Sequence, residues 1–292
     1  MKIAVLGPLA KDKVNIDGVE ETYLGGIPYY EACALSALGI DVEAYVTYSK
    51  QDEDLVRRSL SGIKVHPTYT EKTITHELSY RSKEPDMRNV EVVEYDSSVF
   101  PVDDTILEEL RKFDYIILGP LYYENIPYEF FEKMKGSNLI LNNFGIFTYL
   151  ENNIPIKKNR ENLSRVAPFI KYLFLDEEEI KFGSGKNTIE DSAEYFLDLG
   201  ITLVVVTLGS KGSVIFTKEE KHIIPAFPPK ELIDPTGAGD TYVAGFIASE
   251  KIFTKLEDRG RFSAMVATMG IETKGAFRKS CDEVLERLKK EN

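Results

Sequence analysis

Short apolar runs alternate with helical stretches along most of the chain. The first run, residues 2–6, ends at Gly7-Pro8 and is typical of a buried parallel strand. A helical stretch follows, with Pro28 in its first turn and Gly39 after its end. Further strands are predicted at residues 42–48, 115–118, 139–141, 173–175 and 203–207. This alternation predicts an α/β fold, a doubly wound and mainly parallel sheet flanked by helices.

The last third of the chain has a different pattern. Two short apolar runs, residues 213–217 and 222–227, are predicted to pair antiparallel at an edge of the sheet. Helices are predicted at residues 258–273 and 281–289. No internal repeat and no long linker divides the sequence, so we expect one domain spanning residues 1–292.

Two stretches interrupt the alternation and read as half-buried strands. Residues 13–24 carry β-branched and aromatic residues around a hairpin-like turn at Asp17-Gly18. Residues 73–95 hold two alternating strands around a polar turn at residues 83–88. We expect these insertions to form a small β-sheet that acts as a lid, because a lid excludes water from the site it covers.

Composition and charge exclude several classes of function. The net charge of −12 argues against a broad nucleic-acid surface, which needs clustered lysine and arginine. No apolar run reaches transmembrane length, and the N-terminus has no signal-peptide pattern. Cys33 and Cys281 alone do not make a disulfide framework. A cytoplasmic enzyme that binds neither nucleic acid nor membrane fits these features, as do other proteins.

The most informative segment is Asp-Pro-Thr-Gly-Ala-Gly-Asp at residues 234–240. Its two glycines leave a stretch of backbone with little bulk, so an anion can approach the N–H groups. Val243, Phe246 and Ile247 then follow at helical spacing, which predicts a helix buried on one face. A helix beginning here directs unpaired N–H groups and its positive dipole end at the loop. Asp240, at the mouth, is placed to accept a proton from an attacking hydroxyl group.

An ordinary N-cap followed by a glycine turn explains the same heptapeptide. However, the segment resembles the C-terminal signature of the ribokinase-like (PfkB) sugar kinase family, Gly-Ala-Gly-Asp before a helix of small apolar residues. The resemblance implies phosphoryl transfer to an alcohol, with Asp240 as general base. Gly237, Ala238 and Gly239 would then form the anion hole with it.

Polar residues follow the predicted strands at the ends where α/β sheets bind ligands. We expect the following to meet at one edge of the sheet: Asp12, Asn142-Asn143, Asp176 with Glu179, Thr207 with Gly209, and the glycine loop.

Two metal sites are implied by the resemblance. The family has an Asn-x-x-Glu motif that holds magnesium and phosphate through water, and Glu179 matches its Glu whereas Asp176 replaces its Asn. A solvated helix start explains the same acids. Asp234 and Thr236 resemble a site for a monovalent cation such as K⁺, with a turn before a helix as the alternative.

A nucleotide loop is implied at residues 207–212, which resemble the family's Thr-x-Gly-x-x-Gly. Thr207 and Gly209 would lie along the ATP phosphates, Gly212 would permit the turn, and Gly275 is assigned to the same ATP site. A tight turn between strands is the alternative. The sequence has no Walker-type P-loop motif.

The acceptor side of the resemblance rests on Asp12 and the pair Gly25-Gly26 before the first helix. A carboxylate can accept hydrogen bonds from two neighbouring hydroxyl groups of a polyol. Tyr30 stands where the family often has Asn, which favours ring stacking over hydrogen bonding. Asn143 is assigned to the substrate, and no arginine follows it before Arg160, which argues against a phosphorylated acceptor.

We therefore predict a kinase that uses ATP and Mg²⁺ to phosphorylate a hydroxyl group of a small sugar or polyol. One alternative is a nucleoside kinase, with Tyr30 stacking on the base. Another is a catalytically idle sugar-binding regulator of the same fold. His66, His76 and His222 are interpreted as ordinary surface or strand residues. In relatives an exposed lid sheet often pairs across a dimer, so a homodimer is a further expectation.

Overall fold

The computed structural model describes residues 1–16, 19–80, 88–142 and 144–291. The turn predicted at Asp17-Gly18 lies outside these ranges, as does the turn predicted at residues 83–88 apart from Arg88.

Strands and helices alternate along the chain as the apolar pattern predicts. The strands are β1 Lys2–Pro8, β2 Ala10–Ile16, β3 Val19–Gly25, β4 Asp41–Ser49, β5 Lys64–Thr70, β6 Ile74–Tyr80, β7 Arg88–Glu94, β8 Tyr115–Leu118, β9 Leu139–Asn142, β10 Thr148–Glu151, β11 Ile154–Lys157, β12 Ile170–Asp176, β13 Leu203–Thr207, β14 Ser213–Phe216 and β15 Lys221–Ile224. The helices are α1 Ile27–Ala37, α2 Glu53–Ser59, α3 Asp104–Leu110, α4 Tyr128–Lys133, α5 Glu161–Val166, α6 Glu177–Ser184, α7 Ile189–Asp198, α8 Ala238–Ala248, α9 Leu256–Gly270 and α10 Cys281–Lys290.

Within the described ranges, nine strands form the main sheet in the order β15-β14-β13-β12-β9-β8-β1-β4-β5. The strands from β13 to β5 pair parallel, whereas β14 and β15 pair antiparallel at one edge. The predicted fold class and the antiparallel edge are therefore confirmed. Strand β5 at the other edge was not predicted; it contains Pro67, which weakens the strand pattern and is tolerated at an edge.

Two apolar layers cover the faces of this sheet. Along β1, Ile3 and Val5 pack on the face covered by α1, α8 and α9, whereas Ala4 and Leu6 belong to the opposite face, covered by α3 to α7. The period of two along a strand explains this division. Because both faces are buried, the central strands are continuous apolar runs rather than alternating ones.

A separate sheet has the order β3-β2-β6-β7. Its strand β2 begins at Ala10, so Asp12 lies within a strand of this small sheet and not, as predicted, just beyond a strand of the main sheet. Asp12 is paired with Tyr23 of β3 and with His76 of β6. The sequence around it, Lys11-Asp12-Lys13, has no apolar alternation, and backbone pairing on both sides holds it in the sheet.

Helix α8 is buried on all sides, not on one face as predicted. Every residue from 241 to 248 is buried, because α8 lies between the main sheet, α1 and α9. A Cβ atom at Gly245 would lie 3.1 Å from the Ser263 Cα atom, so the backbones of α8 and α9 pack closely. The helix that follows the glycine loop is thus held rigidly in the core.

A membrane span requires a helix of sufficient length and apolar character, and the sequence predicts no such span. Among the described helices, none combines the length and the apolar character needed to cross a bilayer.

We expect Phe246→Ala to destabilise the protein strongly. Phe246 is fully buried in α8, and its ring centroid lies 5.5 Å from that of Phe174 in β12. Truncation removes apolar contacts and leaves a cavity, which costs about 3–5 kcal/mol for a buried phenylalanine. Urea unfolding followed by circular dichroism measures the loss. Leu232→Ala, at a position that is 52% exposed, is the control and should change stability by less than about 0.5 kcal/mol. A loss below about 1 kcal/mol for Phe246→Ala would contradict this account of α8.

Candidate active site

A cavity of about 320 Å³ lies between the small sheet, the start of α1 and the glycine loop. Its lining residues are Asp12, Gly26, Ile27, Tyr30, His76, Leu121, Tyr122, Phe144, Pro155 and the run 235–240. The structure thus brings together residues predicted for the acceptor site and residues predicted for the anion hole. They are separated by more than two hundred positions in sequence.

The glycine loop owes its shape to Gly237. This residue has φ 73° in the left-handed region and is the N-cap of α8. A Cβ atom here would overlap the Tyr30 ring, so glycine is also required by packing. The Ala238 N–H donates to the Pro235 carbonyl at 3.3 Å. The N–H groups of Gly239 and Asp240, in the first turn of α8, are therefore better placed than that of Ala238 to bind an anion.

Asp234 stabilises the loop from the other side. Its Oδ1 accepts from the Thr236 N–H at 2.9 Å, and its Oδ2 accepts from the Gly275 N–H at 3.5 Å. This is the turn geometry that the alternative interpretation of Asp234 predicts. Each carboxylate oxygen keeps a further lone pair, so the same group retains the capacity to bind a cation.

Asp240 lies in the cavity wall, partly exposed. Its Oδ1 accepts a hydrogen bond from Asn142 Nδ2 at 2.8 Å. Desolvation by the surrounding protein raises the pKa of Asp240 to about 7, and the hydrogen bond from Asn142 opposes that rise. A carboxyl group with a pKa near neutrality suits a general base.

A second acid, Glu31, lies behind Asp240. It is fully buried in α1, and its Oε1 accepts from Asn142 Nδ2 at 3.0 Å. Burial, and then the charge of Asp240, raise the pKa of Glu31 well above its ordinary value. We did not predict Glu31 from the sequence. The available signal was a single acid inside the otherwise apolar stretch of residues 27–35.

The small sheet contributes a hydrogen-bonded set of three side chains to the cavity. His76 Nδ1 lies 3.2 Å from Asp12 Oδ1, and His76 Nε2 lies 3.2 Å from the Tyr122 hydroxyl group. Burial, followed by the charge of Asp12, raises the pKa of Tyr122. His76 is thus a residue of strand β6, and its ring also lines the cavity and contacts Asp12.

Two glycines make room for this set. A Cβ atom at Gly25 would overlap the Asp12 carboxylate, and a Cβ atom at Gly26 would lie 2.8 Å from the Pro8 carbonyl oxygen. Gly25 itself does not line the cavity, whereas Gly26 does. Asn143, which was assigned to the acceptor, lies outside the described residues.

The aromatic side of the cavity is formed by Tyr30, Tyr122 and Phe144. Tyr30 is 5% exposed, and its ring packs against Gly237. Burial, with the charge of Asp12 as a second cause, raises the pKa of the Tyr30 hydroxyl group. These rings offer apolar faces to a bound molecule next to the polar groups of Asp12 and Asp240.

Most residues predicted for ATP and magnesium lie at or just after the ends of neighbouring strands, outside this cavity. Gly275, also predicted for ATP, lies after α9 and donates to Asp234. Asp176 of β12 is paired with Thr207 of β13. Asp176 is also the N-cap of α6. Its Oδ1 accepts from the Glu179 N–H at 2.7 Å, and Glu179 Oε2 accepts from the Asp176 N–H at 3.1 Å. Asp176 is exposed, whereas Glu179 is 5% exposed and points inward, unlike a residue of a solvated helix start.

The donor set at Asp176 and Glu179 fits a magnesium ion held largely by water and phosphate oxygens. Burial, followed by the charge of Asp176, raises the pKa of Glu179 to about 8. A nearby cation would lower the pKa of Glu179 and so oppose the effects of burial and of the Asp176 charge. In the described ranges no group of three or more His, Cys, Asp or Glu side chains forms a cage for a metal ion. Magnesium usually needs only one or two protein carboxylates when it is bound together with phosphates.

The loop predicted for the nucleotide is a tight turn after β13. Residues 209–211 form a single 3₁₀ turn, with Gly209 at φ 58° and Gly212 at φ 96°. The Leu208 N–H donates to the Gly212 carbonyl at 2.8 Å and closes the turn. This turn comes directly after the end of β13, where Thr207 is paired with Asp176 of β12.

The sheet order and the small second sheet define a protein of the ribokinase fold, and solved structures share it. A pyrophosphate-dependent kinase in the ribokinase family, complexed with a pyrophosphate analog and myo-inositol, superposes with a TM-score of 0.82 at 20% identity, covering 98% of this chain and 99% of that chain. Arabidopsis thaliana ribokinase, complexed with ribose and ATP, superposes with a TM-score of 0.78 at 22% identity, covering 99% of this chain and 98% of that chain.

The chain belongs to the pfkB family of carbohydrate kinases, whose family model matches residues 7–281. The nucleoside kinase of Methanocaldococcus jannaschii is 36% identical over 134 residues, which cover 45% of this chain and 43% of that protein. The cytidine kinase of Thermococcus kodakarensis is 33% identical over 113 residues, which cover 38% of this chain and 39% of that protein. The chain thus aligns with less than half the length of these curated relatives. The family predicted from the glycine loop is confirmed.

The raised pKa of Asp240 predicts a pH dependence of stability. In the unfolded chain its pKa is about 3.9, so the carboxyl group favours the folded state most below about pH 4. This contribution is lost as the pH rises through the folded pKa of about 7. Residue 240 cannot ionise in the Asp240→Asn variant, which should therefore lose less stability than the parent protein between about pH 4 and pH 7.

Urea unfolding at several pH values measures this difference. Asp198→Asn is the control, because it removes a carboxyl group whose side chain is 72% exposed. Its stability should depend on pH in the same way as that of the parent protein. Parallel pH curves for the parent protein and Asp240→Asn would show that Asp240 is not perturbed.

Proposed function

We propose that the protein is an ATP-dependent kinase that phosphorylates a hydroxyl group of a small polyhydroxy compound. The observation that supports it most directly is the position of Asp240. Its carboxylate, the first N–H groups of α8 and the Asp12 carboxylate surround one cavity. A hydroxyl group held by Asp12 can there meet a base and an anion site at once.

In this mechanism Asp240 accepts the proton of the acceptor hydroxyl group. The acceptor oxygen forms a bond to the terminal phosphorus of ATP while the bond to the bridging oxygen breaks, and ADP leaves. The N–H groups of Gly239 and Asp240, with Gly237 shaping the loop, stabilise the charge on the transferring phosphoryl group. The Ala238 N–H, already in a turn, contributes less.

The ATP phosphates are assigned to the strand ends next to this loop. Thr207, Gly209 and Gly212 would contact them, and Gly275 is assigned to the same ATP site. Asp176 and Glu179 would hold Mg²⁺ mainly through water, and the ion would neutralise phosphate charge. Asp234 and Thr236 are proposed as a site for K⁺, since the carboxylate keeps acceptor capacity.

The small sheet is proposed to act as a lid on a single domain. It carries Asp12 and His76 into the cavity wall, so its position decides whether the acceptor site is complete. Closure would exclude water, which otherwise competes with the acceptor for the phosphoryl group. Pairing of this sheet with that of a second copy is a further proposal.

The acceptor is proposed to be a sugar, a cyclitol or another polyol. Asp12 offers the carboxylate that suits neighbouring hydroxyl groups, and the cavity of about 320 Å³ has room for one small ring compound. A nucleoside is the second candidate. The rings of Tyr30, Tyr122 and Phe144 favour it, because they can stack on a base or cover a ribose.

We expect turnover when the purified protein is given ATP, Mg²⁺ and the correct acceptor from a panel of pentoses, hexoses, inositols and nucleosides. Coupled detection of ADP release, followed by mass spectrometry of the product, identifies the acceptor. Parallel reactions with pyrophosphate test the donor. A compound that raises the melting temperature but is never phosphorylated by either donor would favour the idle sugar-binding regulator instead.

Asp240→Asn should lower kcat by about 10²–10⁴ if Asp240 is the general base. In the parent protein kcat should rise with pH up to about 7, since the base must be ionised, and then level off. The variant should lack this rise. Circular dichroism verifies its fold. A folded Asp240→Asn with near-normal turnover would refute the role of Asp240.

His76→Ala should raise the KM for the acceptor about tenfold and leave the KM for ATP unchanged. The change removes a hydrogen bond to a charged group, which is worth about 1.5–3 kcal/mol, and leaves Asp12 free to rotate. His222→Ala is the matched control, because His222 contacts Glu220 in the antiparallel edge region. Equal KM values in both variants would show that His76 does not orient Asp12.

A further inference from the structure

Glu31 is an acid that the proposed mechanism does not use. It is fully buried, and its Oε2 atom has no hydrogen-bond partner among the described residues. Burying a carboxyl group in this way is unfavourable, and an apolar side chain would fit the surrounding helix α1 better. Its other oxygen, Oε1, accepts a hydrogen bond from Asn142.

Asn142 is the link between Glu31 and Asp240. Its Nδ2 atom carries two hydrogens, and it lies 3.0 Å from Glu31 Oε1 and 2.8 Å from Asp240 Oδ1. An amide nitrogen only donates, whereas the amide oxygen only accepts. One orientation of the amide, the one that turns its nitrogen toward them, therefore donates to one oxygen of each acid.

The opposite orientation would place the amide oxygen against the Asp240 carboxylate. Two acceptors would then face each other in a partly buried site, which is unfavourable. A carboxyl oxygen at Glu31 adds a second acceptor on the same side and thereby favours the orientation in which Asn142 donates to Asp240.

We propose that Glu31 is a positioning residue that holds the Asn142 amide so that it donates to Oδ1 of Asp240. The second oxygen of Asp240 then remains to take the proton of the acceptor hydroxyl group. This inference rests on the proposed function in so far as Asp240 is the general base. The hydrogen-bond arrangement itself does not depend on turnover.

The charge states of the two acids are compatible with this arrangement. Burial and the Asp240 charge both raise the pKa of Glu31, which favours its neutral form. Asn142 on β9 is neutral, and Asp240 on α8 is the charged group that acts on Glu31. A neutral carboxyl group keeps an acceptor oxygen for Asn142 without adding a second negative charge.

Glu31→Gln and Glu31→Met separate hydrogen bonding from packing. Glutamine can present a carbonyl oxygen to Asn142, so Glu31→Gln should keep kcat within about threefold of the parent protein. Methionine fills similar space without an acceptor, so Glu31→Met should lower kcat about ten- to a hundredfold. The KM values for the acceptor and for ATP should change by less than about twofold, since neither substrate contacts Glu31.

The matched controls are Glu43→Gln and Glu43→Met. Glu43 is also a buried acid, but it lies on β4 and contacts Lys2, Lys64 and His66 on β1 and β5. These controls should change stability and leave kcat unaltered. A Glu31→Met protein that folds and turns over like the parent protein would overturn the proposal, as would equal losses of kcat in Glu31→Gln and Glu31→Met. Should Glu31→Met fail to fold, a folded Glu31→Gln protein whose kcat falls by more than about threefold overturns the proposal.

A second measurement works without turnover. Comparing urea unfolding of each Glu31 variant with and without Asp240→Asn across pH reports the pKa of Asp240. Loss of the donated hydrogen bond raises this pKa, so Glu31→Met should shift it upward and Glu31→Gln should not. An unshifted pKa in Glu31→Met overturns the positioning role. If instead the pKa shifts but no acceptor is ever phosphorylated, the proposed function fails while the positioning of Asp240 stands.

Discussion

The burial of helix α8 is the constraint on which the site depends. Residues 241–248 are enclosed by the sheet, α1 and α9, so the helix cannot tilt without opening the core. Its N-terminus is consequently fixed in space, and Gly237 turns the chain into it beneath the Tyr30 ring. The N–H groups of the first turn and the Asp240 carboxylate therefore have defined positions before any ligand binds, which lowers the ordering cost of binding.

Much of the architecture could be predicted from the sequence, because the main sheet leaves strong local signals. Strands buried on both faces are apolar runs, and helices between them have clear ends, as at Pro28 and Gly39. The antiparallel edge, β14 and β15, was recognised for the same reason. Strands β5 and β2 carry weaker signals, since β5 contains Pro67 and β2 contains the charged run around Asp12. Both are strands through pairing with neighbours that are distant in sequence.

The candidate site could be predicted where one short segment carries several of its groups, as in residues 234–240. It could not be predicted where it depends on contacts between distant segments. Glu31 and Asn142 are 111 positions apart, and His76 and Asp12 are 64 positions apart. The sequence places Asp12 and Asn142 at strand ends, but nothing local links Glu31 to Asn142 or His76 to Asp12. Only the fold places a buried acid behind Asp240 and a histidine ring against Asp12.

The two sheets divide the cavity between them. Groups proposed to handle the phosphoryl group belong to α8 and the strand ends of the main sheet, whereas Asp12 and His76 are carried by the small sheet. Substitutions on the small sheet thus change the proposed acceptor site without disturbing the packed core behind the proposed anion site. Such modularity offers a physical route by which one scaffold diversifies its choice of substrate while its transfer chemistry is inherited unchanged.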